Sequence, residues 1–416
     1  MKQYTLKNGV RVVQEAVPYV RSVAFGIWLG AGSRRETAHN NGISHFIEHM
    51  LFKGTSTRTA KEIAEYMDSI GGQLNAYTGK ENTCFYAKTL DNHVEKAISL
   101  LCDMLFQSTF LEENIDTERS VILEEINMYE DSPEDLAYDN MTEAVWAGDA
   151  LGRPILGTEQ SLANINAQTM RQYMAQYYVP KNAVISVAGN FDHTAMQALI
   201  EQYFSQWAIG ADVPYEDYEP LSFQAEQIYR PKEIEQVHLC LGYEGFAYED
   251  NRFYTLQVMN AIFGGGMSSR IFQSIREEKG LAYTIYSHAA RYQKAGIFSI
   301  YGGFNPNQTE AVMVTLKKEI ELFKQKGVTP EELNRAKEQI KGGYIMSLES
   351  VSTRMQYWGK SIISAGKIQS IDDVMTRIDN VNQQKVHEIA QVIFNLETFC
   401  ISAVGALKNV EAMKAF

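Results

Sequence analysis

The stretch "GISHFIEHMLFKGT", residues 42–55, sets His45 and His49 four positions apart with Glu48 beside the second. On an α-helix, four residues turn through about 400°, so both imidazoles leave from one face. That spacing suits two nitrogens on one Zn2+ ion at about 2.0–2.1 Å. Glu48 follows His45 by three residues and borders the same face, but as the neighbour of His49 it points elsewhere. Such a place suits a base acting on water beside a metal better than a third ligand. The alternative is two ordinary histidines on a surface helix. Phe46, Ile47, Met50, Leu51 and Phe52 weigh against it, because they make this helix apolar. Buried imidazoles beside a buried carboxylate need partners, and a metal supplies them.

A catalytic zinc takes three protein ligands and keeps a fourth position open. Residues 112–130 read as a long helix, acidic at its start as the helix dipole favours. Glu118 and Glu125 are seven apart and share a face with Ile122, so both are candidates for the third ligand. The competing reading makes Glu118, Glu124 and Glu125 a solvated acidic stripe.

The chain has 416 residues, 45% hydrophobic and 21% charged, which is the composition of a folded protein with more than one domain. A net charge of -13 excludes a general nucleic-acid binder. No run of about 18 apolar residues occurs, so no membrane span is expected. The opening stretch "MKQYTLKNGVRVVQE" is not apolar, so no secretory signal is expected and the expected location is the bacterial cytoplasm. Cys84, Cys102, Cys240 and Cys400 stand in apolar segments without a CxxC pair and read as reduced core residues.

The stretch "IGADVPYEDYEPLSF" (209–223) has two prolines, four acidic residues and no helical period. It predicts a linker between a domain at 1–208 and a domain at 224–416. The halves resemble each other. "VPKNAVISVAGNFDHTAMQALIEQYFSQW" reads as turn, buried strand, turn and helix, and "FNLETFCISAVGALKNVEAMKAF" repeats that order. Residues 20–30 and 234–242 are matching strands. An internal duplication follows. Asn8-Gly9 predicts a hairpin turn, and 71–90 a second hairpin turning near Thr78-Gly79-Lys80. Asp91 is expected to cap the helix that follows it, and Thr329-Pro330-Glu331-Glu332 starts another. The fold class is α+β: two homologous domains, each a mostly antiparallel sheet packed with helices.

The order H-x-x-E-H is the inverzincin signature. "HFIEHMLFKGT", "LNAYTGKENTCFY" and "ERSVILEEI", followed by "GRPILGT" and "FGGGMSSRIFQSIREEKGLAY", resemble the family of pitrilysin, insulin-degrading enzyme and mitochondrial processing peptidase. The size resembles the small bacterial relatives of the processing-peptidase β subunit. The resemblance implies a zinc metalloendopeptidase with one Zn2+ per chain on His45, His49 and Glu125, the last being 76 residues after His49. It makes Glu48 the general base and places Glu118 behind the ligands. It implies that Asn75 and Ala76 lie on a strand that pairs with an extended peptide substrate, and that Phe52 packs against the side chain after the cut. Asp135 and Asp139 match acidic positions that bind an arginine near the cleavage site. Arg276 and Tyr283, seven apart, match residues that reach the substrate and the developing oxyanion.

Setting Phe263 against Phe52 puts Leu256, Met259 and Asn260 where His45, Glu48 and His49 stand. Leucine and methionine offer no hard ligand and no base, so no zinc chemistry is expected in the second half. Long members of the family close four such domains around a peptide. Two domains imply a second chain, and the expected partner is a second copy, with Arg276 and Tyr283 acting in trans. The alternatives are a non-catalytic core subunit of the same fold and a half-enzyme that needs a different partner.

Overall fold

The computed structural model describes all residues except 211, 212 and 214–217, so part of the predicted linker 209–223 lies outside the described residues. The chain divides into two compact units. The first comprises Met1–Ile126, Arg153–Asp217 and Ser347–Ile368, and the second Asn127–Gly152, Tyr218–Met346 and Gln369–Phe416. Each half of the sequence therefore gives one segment to the other unit: 127–152 joins the second and 347–368 the first.

The first unit holds a six-stranded sheet made of β1 (Lys2–Thr5), β2 (Arg11–Ala16), β3 (Ser22–Leu29), β4 (Gln73–Thr78), β5 (Thr83–Leu90) and β6 (Ala183–Gly189). Its spatial order is β1-β2-β6-β3-β5-β4, antiparallel except for β2 beside β6. The second unit has β7 (Gln227–Pro231), β8 (Val237–Glu244), β9 (Ala282–Tyr292), β10 (Ala295–Phe304) and β11 (Cys400–Gly405). Their order is β7-β11-β8-β10-β9, and only β7 and β11 run parallel. Apart from β1, the two orders superimpose strand for strand, including the single parallel pair. The expected duplication is thus visible in topology, and the expected α+β class is the fold observed.

Both sheets are covered by helices on their apolar faces. In the first unit, Phe46 and Ile47 of one helix pack with Phe25, Ile27 and Ile185 of the sheet, all at most 1% exposed. Burying one such side chain contributes about 1.5–3 kcal/mol. The helix Val351–Ala365 lies against β3 and β6: Ser186 Oγ donates to the Met355 carbonyl at 2.7 Å. Glu15 of β2 accepts from Arg354 and from the Trp358 indole, each at 2.5 Å. The approach is close enough that a Cβ at Gly359 would fall inside the Trp28 indole. In the second unit the helix Pro133–Val145 covers β8 and β11, and its Leu136, Ala137, Met141 and Val145 cluster with Cys240, Cys400 and Val404.

Several local expectations differ in detail. Asp91 does not cap the helix Val94–Gln107, which starts after a short 3-10 turn with no side-chain cap. The Asp91 carboxylate instead takes hydrogen bonds from Arg21 and from Asn190. A charged pair across the chain outcompetes the local cap. The Thr329 start is a true reciprocal cap: Glu332 N–H donates to Thr329 Oγ1 at 3.2 Å and Thr329 N–H to Glu332 Oε2 at 2.8 Å. All four cysteines are buried and unpaired. No helix among the described residues is long and apolar enough to cross a membrane.

Candidate metal centre

The helix Ile43–Leu51 carries the opening motif, and seven of its nine residues are buried. It starts at Gly42, whose φ of +93° is a left-handed conformation that favours glycine. No serine or threonine caps it. Glu36, 4% exposed, does this work from upstream. Its Oε2 accepts from the Gly42 N–H at 2.7 Å and from Asn41 Nδ2 at 2.8 Å, and its Oε1 from the Ser44 N–H at 2.9 Å. A carboxylate there satisfies orphan donors and faces the positive end of the helix dipole. Burial pushes the Glu36 pKa up, and these donors pull against it. The Glu36 carbonyl also accepts from Arg153 at 2.7 Å, which ties the loop "GRPILGT" to the helix start.

The helix presents His45 and His49 together, with ring centroids 4.6 Å apart. From the helix Glu112–Glu130, Glu125 points at both: its Oε2 lies 3.7 Å from His45 Nε2 and 3.8 Å from His49 Nε2. The three ligand atoms lie within 4.8 Å of one another. These separations are too long for hydrogen bonds. They approach the edge of a tetrahedron around zinc, roughly 3.4 Å for bonds of 2.0–2.1 Å. The donors thus gather around a common point rather than bonding each other, and the residues fit a zinc ion. Burial first, and then the nearness of His49, pushes the His45 pKa down to about 3. Its imidazole is therefore neutral and has a lone pair to give.

Behind the ligands, Glu118 is 3% exposed. Its Oε2 lies 3.1 Å from His49 Nδ1, and its Oε1 takes the Lys53 ammonium at 2.5 Å. An ionised carboxylate only accepts, so this contact puts the proton on His49 Nδ1 and leaves Nε2 free toward Glu125. The two glutamates that the helical period could not rank thus stand in different places. Glu48 is not among the clustered donors; its Oε2 accepts a hydrogen bond from Thr78 Oγ1 at 2.6 Å, and its carboxylate lies near enough to His49 and Glu125 to feel their charge. Burial raises the Glu48 pKa, Thr78 and His49 oppose the rise, and Glu125 adds to it.

Asn75 and Ala76 lie on β4, an edge strand whose only partner among the described residues is β5. Asn75 is exposed, and its Oδ1 accepts from the Ala76 N–H at 2.8 Å. Phe52, half-buried, ends the motif helix and packs on the core of the first unit. The remaining predicted residues belong to the second unit. Asp135 is exposed and accepts from Ser132 Oγ at 2.6 Å, and Asp139 is half-buried one turn further along the helix Pro133–Val145. Arg276 lies in the π-helical turn Phe272–Glu277, with its guanidinium over the rings of Phe272 at 4.9 Å and Tyr283 at 5.5 Å. Tyr283 is 75% exposed. In the same unit Leu256 and Met259 are fully buried, and Asn260 accepts from Ser287 Oγ at 2.7 Å.

Sequence reasoning missed Glu36, Lys53 and Thr78. Lys53 stands one turn beyond His49, a spacing that could have flagged it. Thr78 and Glu36 act through space and leave no periodic signal.

Comparison with known proteins gives the chain a family and a fold. Residues 11–159 match the family described as Insulinase (Peptidase family M16), and residues 164–340 match the Peptidase M16 inactive domain. The chain is 45% identical to the uncharacterized zinc protease YmxG of Bacillus subtilis, over 99% of each chain. Two solved structures share its fold, each with a TM-score of 0.91 over 97% of this chain and 98% of the other. One is a peptidase M16 inactive domain from Pseudomonas fluorescens, 19% identical, and the other a protease from Helicobacter pylori, 23% identical. By both halves and by its full-length relatives, this chain belongs to the M16 (insulinase) family of peptidases.

Proposed function

We propose that this protein is a zinc-dependent metalloendopeptidase that hydrolyses peptide bonds in extended or unfolded segments. The observation that carries the reading is the cluster of His45, His49 and Glu125 donors, 3.7–3.8 Å apart, with Glu48 on the same helix. Zinc bound there supplies Lewis acidity toward the scissile carbonyl and lowers the pKa of water. Glu48 takes the proton of the attacking water and passes it to the leaving amine. Glu118, itself held by Lys53, keeps His49 in the tautomer that offers Nε2. The free edge of β4 at Asn75 and Ala76 receives the substrate as an added strand, which binds backbone without reading sequence. Phe52 meets the side chain after the cut, and Asp135 and Asp139 favour an arginine nearby.

Arg276 and Tyr283 act on the zinc site of a second copy, in a homodimer that closes around its substrate. Mixing tests this directly. E48Q and Y283F homodimers should each be nearly inactive, while a mixed dimer regains one working site. No recovery in the mixture would place Tyr283 in cis, and an active Y283F homodimer would place it outside catalysis.

The deciding experiment pairs wild type with Glu48→Gln. Both should hold about one zinc per chain, and only wild type should cut a fluorogenic library of basic peptides, with chelator abolishing the activity. A zinc-loaded wild type that cuts nothing would refute the reading for the lone chain. A chain without zinc would undo the metal centre.

A further inference from the structure

We infer that Thr78 is a positioning residue that couples the substrate-binding strand to the general base; this rests on the peptidase reading above. Thr78 is the last residue of β4, whose outer edge has no strand partner among the described residues. Among the described residues its hydroxyl has one hydrogen-bond partner, Glu48 Oε2 at 2.6 Å. Glu48 Oε1 accepts no hydrogen bond from the described residues. The two carboxylate oxygens are thereby divided: one is held by Thr78 and the other is left to take a proton. A base held at one oxygen keeps its direction while the other reacts, which lowers the reorganisation that proton transfer requires.

Thr78 is itself held firmly. It pairs with Thr83 at the end of the β4–β5 ladder. The turn beyond it is clamped from below: Ser33 N–H and Arg34 N–H donate to the carbonyls of Gly79 and Lys80 at 3.3 and 2.7 Å. Arg34 and Glu81 form an ion pair at 2.6 Å, with side chains 1% and 5% exposed. Lys80 Nζ reaches the Arg153 carbonyl at 2.5 Å. The hydroxyl is therefore fixed by the hairpin and not by the motif helix. A peptide that lies along β4 and the carboxylate that serves it share one rigid reference, so the base is in register with the scissile bond whatever the sequence bound.

The test uses Thr78→Val and Thr78→Ser in the full-length dimer, each also in the Glu48→Gln background. Valine keeps the shape and suits a strand. T78V should hold wild-type zinc and show KM within about twofold, with kcat reduced about tenfold or more, the usual cost of removing a group that orients the machinery. T78S should recover most of that loss. In the E48Q background T78V should cost almost nothing, because the base it orients is already gone. Equal kcat for T78V and wild type would overturn the inference, as would a loss that persists undiminished with E48Q or that follows zinc release. A zinc-loaded wild type without activity would sink the peptidase reading and this inference together, whereas an active wild type with an active T78V sinks the inference alone.

Discussion

Two helices occupy equivalent places in the two units, each following the central strand of its sheet. In the first, Ile43–Leu51 carries His45, Glu48 and His49; in the second, Phe253–Phe263 carries Leu256, Met259 and Asn260. The second helix packs more simply. Leu256 and Met259 are fully buried among apolar neighbours, and Asn260 needs only Ser287. The first must satisfy an imidazole pair and three nearby carboxylates, and it recruits Glu36, Glu118, Lys53 and Thr78 to do so. The fold thus stands without the metal motif. What the motif requires is a set of supporting polar groups that the second unit lacks.

The severest way to break this comparison is to copy the second helix into the first. The triple variant H45L/E48M/H49N should lose zinc and all measurable peptidase activity, yet keep its far-UV circular dichroism and a cooperative thermal transition. Collapse of the fold would show that the metal motif is structural as well. Chelation of wild type should give the same result reversibly: activity lost, helix content unchanged, and a lower Tm only through the lost binding energy of zinc.

Next in size is Glu36→Ala. It leaves the Gly42 and Ser44 N–H groups without their acceptor, while the Asn41 amide keeps the Pro154 carbonyl. Each buried orphan costs about 1–3 kcal/mol. Thermal unfolding should show a clear fall in Tm, together with weaker zinc retention, since the N-terminus of the ligand helix loosens. An unchanged Tm would mean that water replaces Glu36 at no cost.

The smallest effect belongs to the second unit, where no metal is at stake. Arg270 grips Glu332 through two hydrogen bonds of 2.8 Å. Burial raises the Glu332 pKa, but Arg270 and the Thr329 N–H outweigh it and hold the carboxyl below its ordinary value. A depressed carboxylate stabilises the fold above its unfolded pKa of about 4.3 and ceases to do so as pH falls through the folded value. Arg270→Met should therefore lower stability near neutrality, on the order of 1–2 kcal/mol for a partly exposed pair. The gap from wild type should narrow in acid. A gap independent of pH would assign the loss to packing against the Phe323 ring, over which Arg270 lies at 4.7 Å.

Much of this was legible from local pattern. The helix Glu112–Glu130 has the bounds its period predicted, the β4–β5 hairpin turns where Gly79 predicts, and the duplication shows in strand order. The candidate ligand residues were legible because helical spacing is a local property. The period could not rank Glu118 and Glu125, since the choice depends on which residue meets His49 Nδ1 across space. Glu36 and Thr78 were invisible for the same reason: their partners are set by tertiary contacts. The Asp91 cap failed because Arg21, far off in sequence, competes for the carboxylate.

The exchanged helix also bears on how the chain is made. The face of the first sheet that meets Val351–Ala365 is tied to it across the whole protein, as by Arg11 donating to the Ile362 carbonyl 351 residues away. During synthesis, β2, β3 and β6 leave the ribosome long before their cover exists. That face, including Trp28, stays open to chaperones or to misdirected pairing until Val351–Ala365 has emerged. Such distant closure makes folding slow. A stop codon between residues 190 and 350 thus yields an N-terminal fragment with every candidate zinc ligand present and one side of its sheet bare.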